Sequence, residues 1–540
     1  MRQSCLPGYS ILLIISICAV SLSVSPEADE IMTKLDSIIE KFMSCRDIPG
    51  LTLSIVRKGQ VFLSKGYGKA DMEKNISVTA NSTLFCVASL TKAFTAALVE
   101  KLIPGATGRK APPLSKILQN VTKAKGCCEF SDEYITKHVT MVDLLSHRTG
   151  TGRYDFVWIR GDMDRAEIVR RIRFMEQVYD FRDQPLYTNV MFTLAAYVLE
   201  MLKGQSWEVL LRKHILEPLG MHTSTFMGHR KKPGTDFATQ YENVNGKIYK
   251  IPINLHNGST TIGPAISLCT TADDMTKWMI FHLHGGRGAG GLEIMARASL
   301  ANLHEAVVVG NLYDFTLQRP TYPVRLVYDK YAKGWFVGNY RDKELLMHYG
   351  SYPGFYSMVT LVKELQLGIF TSMHAAKDTT SYYYLNLLHI YILDLFMGFE
   401  PWLNGSTICS YPEPWSRSPN SSKNPSHSNA RRKALSYPVE TYTGCYAHPV
   451  LGDLIVRANG KGLRMRFGRI VSDLFSVSRT EFQIVPVVSE WMIGPGKAEF
   501  ILNADNSSAT AVRVPYYERR ISPVFQKNRS SAISLTLSSY

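Results

Sequence analysis

The spacing of apolar residues changes period several times between residues 27 and 402, and each change marks an element. Leu51 to Val56 and Val61 to Leu63 carry strand-like composition on either side of Lys58-Gly59, which predicts a tight antiparallel pair. Leu90, Phe94, Leu98 and Leu102 recur at helical spacing and predict a helix over 90–102 with one apolar stripe. Val190 to Leu202 and Met275 to Leu283 read as further helices, and Ser357 to Val362 and Gly368 to Ser372 as strands. Tyr382 to Met397 is long and apolar, but Asn386, His389 and Asp394 interrupt it, as befits a core helix and not a membrane span.

From Asn404 to Arg432 the composition shifts to Ser, Pro and Asn, the signature of a linker. Beyond it, Leu454 to Arg457, Leu463 to Phe467, Phe482 to Val487, Ala498 to Leu502 and Ala511 to Val514 are short alternating runs separated by turn residues. They predict a small antiparallel β-domain that folds separately. At the other end, Arg2 precedes the apolar run Ile11 to Leu22, with small residues at Ser21, Ser23 and Ser25, which is the pattern of a cleaved secretory leader. The expected organisation is therefore a leader at 1–23, a mixed α/β unit at 27–402, a linker at 403–433 and an all-β domain at 434–540.

Export changes how the remaining composition reads. Asn-x-Ser/Thr sequons occur at Asn75, Asn81, Asn120, Asn257, Asn404, Asn420, Asn506 and Asn528, candidates for glycosylation. Loss of the leader leaves seven of the nine cysteines, for which an oxidising compartment allows disulfides. Cys127 and Cys128 are too close in sequence to bond each other readily, so each is expected to need a distant partner. No spacing resembles a zinc site, and neither a metal nor a cofactor is assigned. The net charge is +15, and the region from Pro401 onward holds 17 Lys+Arg against 9 Asp+Glu. The basic residues are scattered and match no nucleic-acid module; an acidic polymer or extracellular matrix is the class of partner such charge suits.

The candidate chemistry begins at Val87-Ala88-Ser89-Leu90-Thr91-Lys92. A serine at a helix start with a lysine three residues on places amine and hydroxyl on nearly one face. A helix N-terminus opposes protonation of that lysine, and a desolvated neutral amine can take a serine proton. Tyr187-Thr188-Asn189 stands at the start of the second predicted helix. A phenol near an ammonium is pushed towards phenolate, and an asparagine amide can hold a substrate amide. Tyr241-Glu242-Asn243 and Tyr384-Leu385-Asn386 share the pattern, but neither opens a helix. Third, His348-Tyr349-Gly350-Ser351 leads into a strand, where glycine lets a substrate carbonyl approach backbone N–H groups. His256-Asn257-Gly258 and His284-Gly285-Gly286 lack that context.

These three motifs, in this order, resemble the serine β-lactamase/penicillin-binding family, nearest its class C and D-aminopeptidase branch. Leu144-Leu145-Ser146-His147-Arg148-Thr149-Gly150 and Pro218-Leu219-Gly220-Met221 resemble two more family segments. The resemblance implies an α+β fold in which an antiparallel sheet is flanked by helices, with the site in a cleft. It also implies that Ser89 is acylated, that Lys92 and Tyr187 share the base role, and that Asn189 binds the substrate amide. The N–H groups of Ser89 and Ser351 would form the oxyanion hole, with His348 and Gly350 lining the substrate site. His348 replaces the lysine of class C enzymes and Tyr349 the usual threonine or serine. Both departures favour small-molecule or peptide ester and amide substrates over β-lactams. The layout is also similar to secreted animal relatives, some of them in shell matrix, which keeps a non-catalytic matrix protein as the alternative.

Two further features invite functional readings that chemistry makes poor. His147 is expected to be a structural hydrogen-bonding histidine. Arg160-Gly161-Asp162 matches an integrin-binding tripeptide but reads better as a charged turn.

Overall fold

The computed structural model describes residues 26–528 apart from 123–125, 230–233, 245, 252–258, 311, 313–314, 375–380, 416–432, 461, 488–495 and 519. The leader expected at 1–23 and the sequons at Asn257 and Asn420 lie outside the described residues. The other six sequon asparagines are all exposed. No helix among the described residues is long and apolar enough to cross a membrane.

A nine-stranded sheet forms the centre of the first unit. The strands Val308–Val309, Leu326–Tyr331, Phe336–Tyr340, Lys343–Tyr352, Phe355–Val362 and Leu367–His374 run as an antiparallel meander. The last of them pairs with Gly50–Arg57, which is followed by Gln60–Asp71 and Ile76–Ser77. The chain thus closes its sheet by joining its beginning to residues more than three hundred positions later, with Leu51 opposite Met373.

Alternation along the strands fills two cores. Leu51, Leu53 and Ile55 pack with Leu35, Ile39 and Phe42 of the helix Pro26–Cys45 and Leu385, Leu388 and Ile392 of the helix Ser381–Phe396. Val56, Val359 and Phe370 face the other way, into a larger core shared with the helical region. Strands covered on both faces lose the polar half of the alternating pattern. That explains why Phe355–Val362 is buried throughout.

The predicted hairpin is present, with Lys58 and Gly59 both at positive φ. Its second strand is far longer than expected, Gln60–Asp71, because that strand lies near the sheet edge and keeps polar, partly exposed residues. The helix predicted over 90–102 is Thr91–Leu102, buried from Thr91 to Glu100 on every side and not along one stripe.

The tail is a closed eight-stranded barrel, from Gly444–His448 to Val524–Lys527. It shares a continuous core with the helical region instead of standing apart. Phe156 stacks on Tyr517 (centroids 4.3 Å apart), and Arg160 donates to the Leu451 carbonyl and lies over the Phe467 ring. Arg160 also pairs with Asp162 at 2.5 Å, so the Arg-Gly-Asp tripeptide is part of the seam between the two units.

The expected linker begins on folded chain, and its residues 416–432 lie outside those described. Leu403 and Ile408 are buried, and Cys409 is disulfide-bonded to Cys45 on the first helix, so residues up to about Trp415 belong to the first unit. A second disulfide joins Cys86 to Cys269 across neighbouring strands. Cys127 and Cys128 are bonded to each other, against the expectation of distant partners, with Cys128 in the left-handed region at φ 64°.

Candidate active site

Ser89 occupies a single 3₁₀ turn, Ala88–Leu90, that runs straight into the helix Thr91–Leu102. The turn is clamped from several sides. Val87 N donates to Leu268 O at 2.8 Å, and Ser357 Oγ donates to Val87 O at 2.8 Å. Thr91 Oγ1 donates to Ala88 O at 2.6 Å, and the Cys86–Cys269 disulfide fixes the preceding strand. The strand Lys343–Tyr352 lies directly against this turn. A Cβ on Gly350 would sit 2.1 Å from Val87 O, so glycine is required for the two to touch.

Lys92 points inward and is fully buried. Its Nζ lies 3.0 Å from Ser89 Oγ, 2.8 Å from Asn189 Oδ1 and 3.1 Å from Ala265 O. Burial holds the amine well below the usual lysine range. The nearby Asp155 carboxylate opposes that shift and the Arg153 guanidinium adds to it. A neutral amine has two N–H donors and one lone pair. With the donors satisfied by Asn189 and Ala265, the lone pair is left for the Ser89 hydroxyl.

Tyr187 also hydrogen-bonds Ser89, and its ring centroid is 4.7 Å from Lys92 Nζ. The expected phenolate is not what this site stabilises. Burial and the neighbouring Tyr349 phenol push the Tyr187 hydroxyl well above its usual range, so it stays protonated. A lysine that is itself neutral supplies no charge to hold a phenolate. This arrangement suits Lys92 to a base role and a protonated Tyr187 to that of a proton donor.

Asn189 starts the helix Asn189–Lys203, as the sequence predicts, but its amide is already committed. Oδ1 accepts from Lys92, and Nδ2 donates to Asp155 Oδ1 at 3.0 Å, which leaves one amide hydrogen for a substrate. Asp155 Oδ1 also accepts from Trp158 Nε1 at 3.1 Å, and Oδ2 accepts from Arg153 at 2.7 Å.

His348 is buried, and both its nitrogens are engaged: Nδ1 with Tyr349 O at 2.7 Å and Nε2 with the Tyr331 hydroxyl at 3.1 Å. Desolvation lowers its pKa to about 3, so the ring is neutral. It supports the site from behind and is not the substrate-facing group expected at that position. His147 behaves as the sequence suggests. Its Nδ1 accepts from Thr188 N at 3.2 Å, and its ring packs on Tyr187 with centroids 4.2 Å apart.

The strand register places the last predicted residue. Phe336 pairs with Met347, and the partner strand begins there, so among the described residues no strand pairs with Lys343–Tyr352 beyond Met347 on that side. Residues alternate in the direction of their backbone groups, so Ser351, two pairs further on, aims its N–H to that side. The Ser89 turn packs against the same strand, and the two N–H groups can converge on one carbonyl oxygen.

The structure thus brings together Ser89, Lys92, Tyr187, Asn189, Gly350 and Ser351. The other Tyr-x-Asn copies are elsewhere: Tyr241 OH accepts from Met72 N at 3.0 Å, and Asn386 accepts from Tyr328 inside the core. Sequence reasoning missed Arg153, Asp155 and the Ala265 carbonyl. The first two follow directly on the Leu-Leu-x-His segment, and a charged pair in that place was the available signal; a backbone carbonyl leaves none.

The profile of the β-lactamase family matches residues 35–389, which is most of the chain. The chain belongs to the β-lactamase family. It is 28% identical over 371 residues to an unguisins hydrolase of Aspergillus campestris, a match covering 66% of this chain and 63% of that protein. It is 25% identical over 255 residues to Gigasin-6 of Magallana gigas, covering 46% of this chain and 81% of that one. The match thus spans under two thirds of the length of the fungal relative.

Among solved structures, the octameric penicillin-binding protein homologue of Pyrococcus abyssi aligns over 92% of this chain and 100% of its own, with a TM-score of 0.56 at 20% identity. D-amino acid amidase of Ochrobactrum anthropi aligns over 68% of this chain and 99% of its own, with a TM-score of 0.54 at 18% identity. Both likenesses establish the β-lactamase-type fold. The first extends over nearly the whole chain, barrel included.

Proposed function

We propose that this β-lactamase-family protein is an exported serine hydrolase that forms an acyl-enzyme at Ser89 on ester, amide or peptide substrates. One observation carries the reading: the buried Nζ of Lys92, which desolvation holds well below the ordinary lysine range, lies 3.0 Å from the hydroxyl oxygen of Ser89. As Oγ attacks the substrate carbonyl, Lys92 takes the serine proton, and the N–H groups of Ser89 and Ser351 receive the developing oxyanion. Tyr187 gives its proton to the departing nitrogen or oxygen, and the Lys92 ammonium replaces it. Water then attacks the ester, and the steps reverse. Kinship with a protein named as a hydrolase supports this chemistry.

The neutral, internally bonded His348 offers no charge to a lactam carboxylate, which favours open-chain acyl donors. The test is labelling with a serine-directed fluorophosphonate, followed by mass spectrometry of the adduct. The label is expected on Ser89 and absent from Ser89→Ala. A simple aryl ester or a D-Ala-terminated peptide should then be cleaved with higher kcat/KM than a cephalosporin. A label elsewhere defeats the site assignment, and faster cephalosporin turnover defeats the selectivity. A folded protein that takes no label and cleaves none of the three would instead fit the matrix reading, which the basic tail favours.

Export rests on the apolar leader, six exposed sequon asparagines and the Cys45–Cys409 and Cys86–Cys269 disulfides. Expressed in animal cells, the protein is expected in the medium, starting shortly after Ser21 and shifting in mass on N-glycosidase treatment. A cytosolic product that keeps Met1 and shows no shift would refute it.

A further inference from the structure

The barrel reaches the active site through one carboxylate. Glu518, in the turn after the barrel strand Ala509–Arg513, is 6% exposed. Its Oε2 accepts from Tyr154 N at 2.8 Å. Tyr154 is held in the left-handed region, φ 46°, with its side chain fully buried. For a bulky residue that conformation is costly, and it persists only where the surroundings impose it. Here the barrel contributes to that constraint. Besides the Glu518 bond, Ile521 packs so closely that its Cδ1 would lie 3.0 Å from a Cβ on Gly152.

The residues on either side of Tyr154 are Arg153 and Asp155, whose side chains pair with each other at 2.7 Å. From Asp155 an unbroken series of hydrogen bonds runs to Asn189 (3.0 Å), to Lys92 (2.8 Å) and to Ser89 (3.0 Å). Asp155 and Arg153 are also the two charges that act on the Lys92 amine. The rotation of the peptide at Tyr154 therefore sets both the direction in which the Asn189 amide is held and the field felt by the base.

We propose that Glu518 is a positioning residue for acylation: by accepting the Tyr154 N–H it fixes the Arg153–Asp155 turn, which orients Asn189 and Lys92. The barrel is then a working part of the catalytic centre, not an appended module. It needs no contact with the substrate to act, because a displacement of about 1 Å in a supporting group can change a rate by roughly a hundredfold. The inference rests on Ser89 as the acyl acceptor.

The test uses the full-length protein and three variants. Glu518→Gln keeps an oxygen acceptor and is expected to acylate within about twofold of wild type. Glu518→Ala removes the acceptor, and Glu518→Asp withdraws it by one methylene. Both should slow fluorophosphonate labelling and lower kcat by roughly ten- to hundredfold, with KM changed little and the rising limb of the pH–rate profile displaced. Tyr179→Phe removes the hydroxyl to which Arg520 donates at the same seam and controls for general loosening. It should leave rate and pH limb as in wild type.

Failure to label the wild type at Ser89 would count against the proposed function. A normally labelled wild type with Glu518→Ala or Glu518→Asp folded and equally fast would overturn this inference alone. So would a loss in Tyr179→Phe as large as theirs, or a rate loss in Glu518→Ala with the pH limb unmoved. If Glu518→Ala does not fold, Glu518→Asp against Glu518→Gln decides.

Discussion

Replacing Lys92 by methionine is expected to lower kcat/KM for any acyl donor by about 10²–10⁴-fold, the range for loss of a positioned general base. The thioether is close in length to the lysine side chain, so a fully buried site can accept it without opening a cavity. What disappears is the lone pair 3.0 Å from Ser89 Oγ. Lys92→Arg should fail as thoroughly, because a guanidinium stays protonated and offers no lone pair. Tyr187→Phe should cost less, since the proton donor can be replaced by water while the base remains.

The wild type should gain activity with rising pH as Lys92 deprotonates. That limb lies well below the ordinary lysine range because burial disfavours the ammonium. Fluorophosphonate labelling rates and ester kcat/KM across pH, in the wild type and each variant, provide the measurement. Near-normal activity in Lys92→Met would transfer the base role to another group.

The second large effect is on stability. His304, His348 and His389 are buried with pKa values lowered to about 3, and His374 to about 4, in each case chiefly by desolvation. Their unfolded-state value is about 6.5. Between these limits the unfolded chain binds protons that the native protein refuses, so stability rises with pH across the window. The contribution is whole above about pH 6.5 and is lost progressively as pH falls towards 3–4. At pH 5 each of the four histidines costs about 2 kcal/mol, together about 8 kcal/mol, which rivals the net stability of a typical domain.

Glu200, Glu242 and Asp394, whose burial raises their pKa values, act with the opposite sign and offset part of this. The melting temperature is therefore expected to be flat from pH 8 to 6.5 and to fall steeply by pH 5. Replacing His389, which bonds Thr360 and Thr371, by glutamine should make that fall shallower. A melting temperature unchanged down to pH 5 would contradict this account.

What could be read without coordinates was local. The Ser89–Lys92 spacing is a property of one turn of helix, and Tyr187-Thr188-Asn189 announces itself at a helix start. The antiparallel β-character of the tail followed from its alternating runs but its closure into a barrel did not, and Gly444–His448, Ile470–Ser476 and Val524–Lys527 carried too weak a pattern to be singled out. The helix Thr91–Leu102 was found but its surroundings were not, because a helix buried on all sides shows no stripe to orient it.

Tertiary structure decided everything that depended on who meets whom. Burial, which no motif records, left Lys92 neutral and Tyr187 protonated, reversing the expected phenolate. Strand direction turned His348 into the core, and among the described residues no strand pairs beyond Met347 on the side to which Ser351 aims its N–H. Asp155 lies 34 residues from Asn189, and Glu518 lies 364 from Tyr154. Pairings of that length arise only when the chain condenses around a shared core. Sequence spacing governs short-range geometry; desolvation and long-range contacts, which set protonation and orientation, exist only in the folded protein.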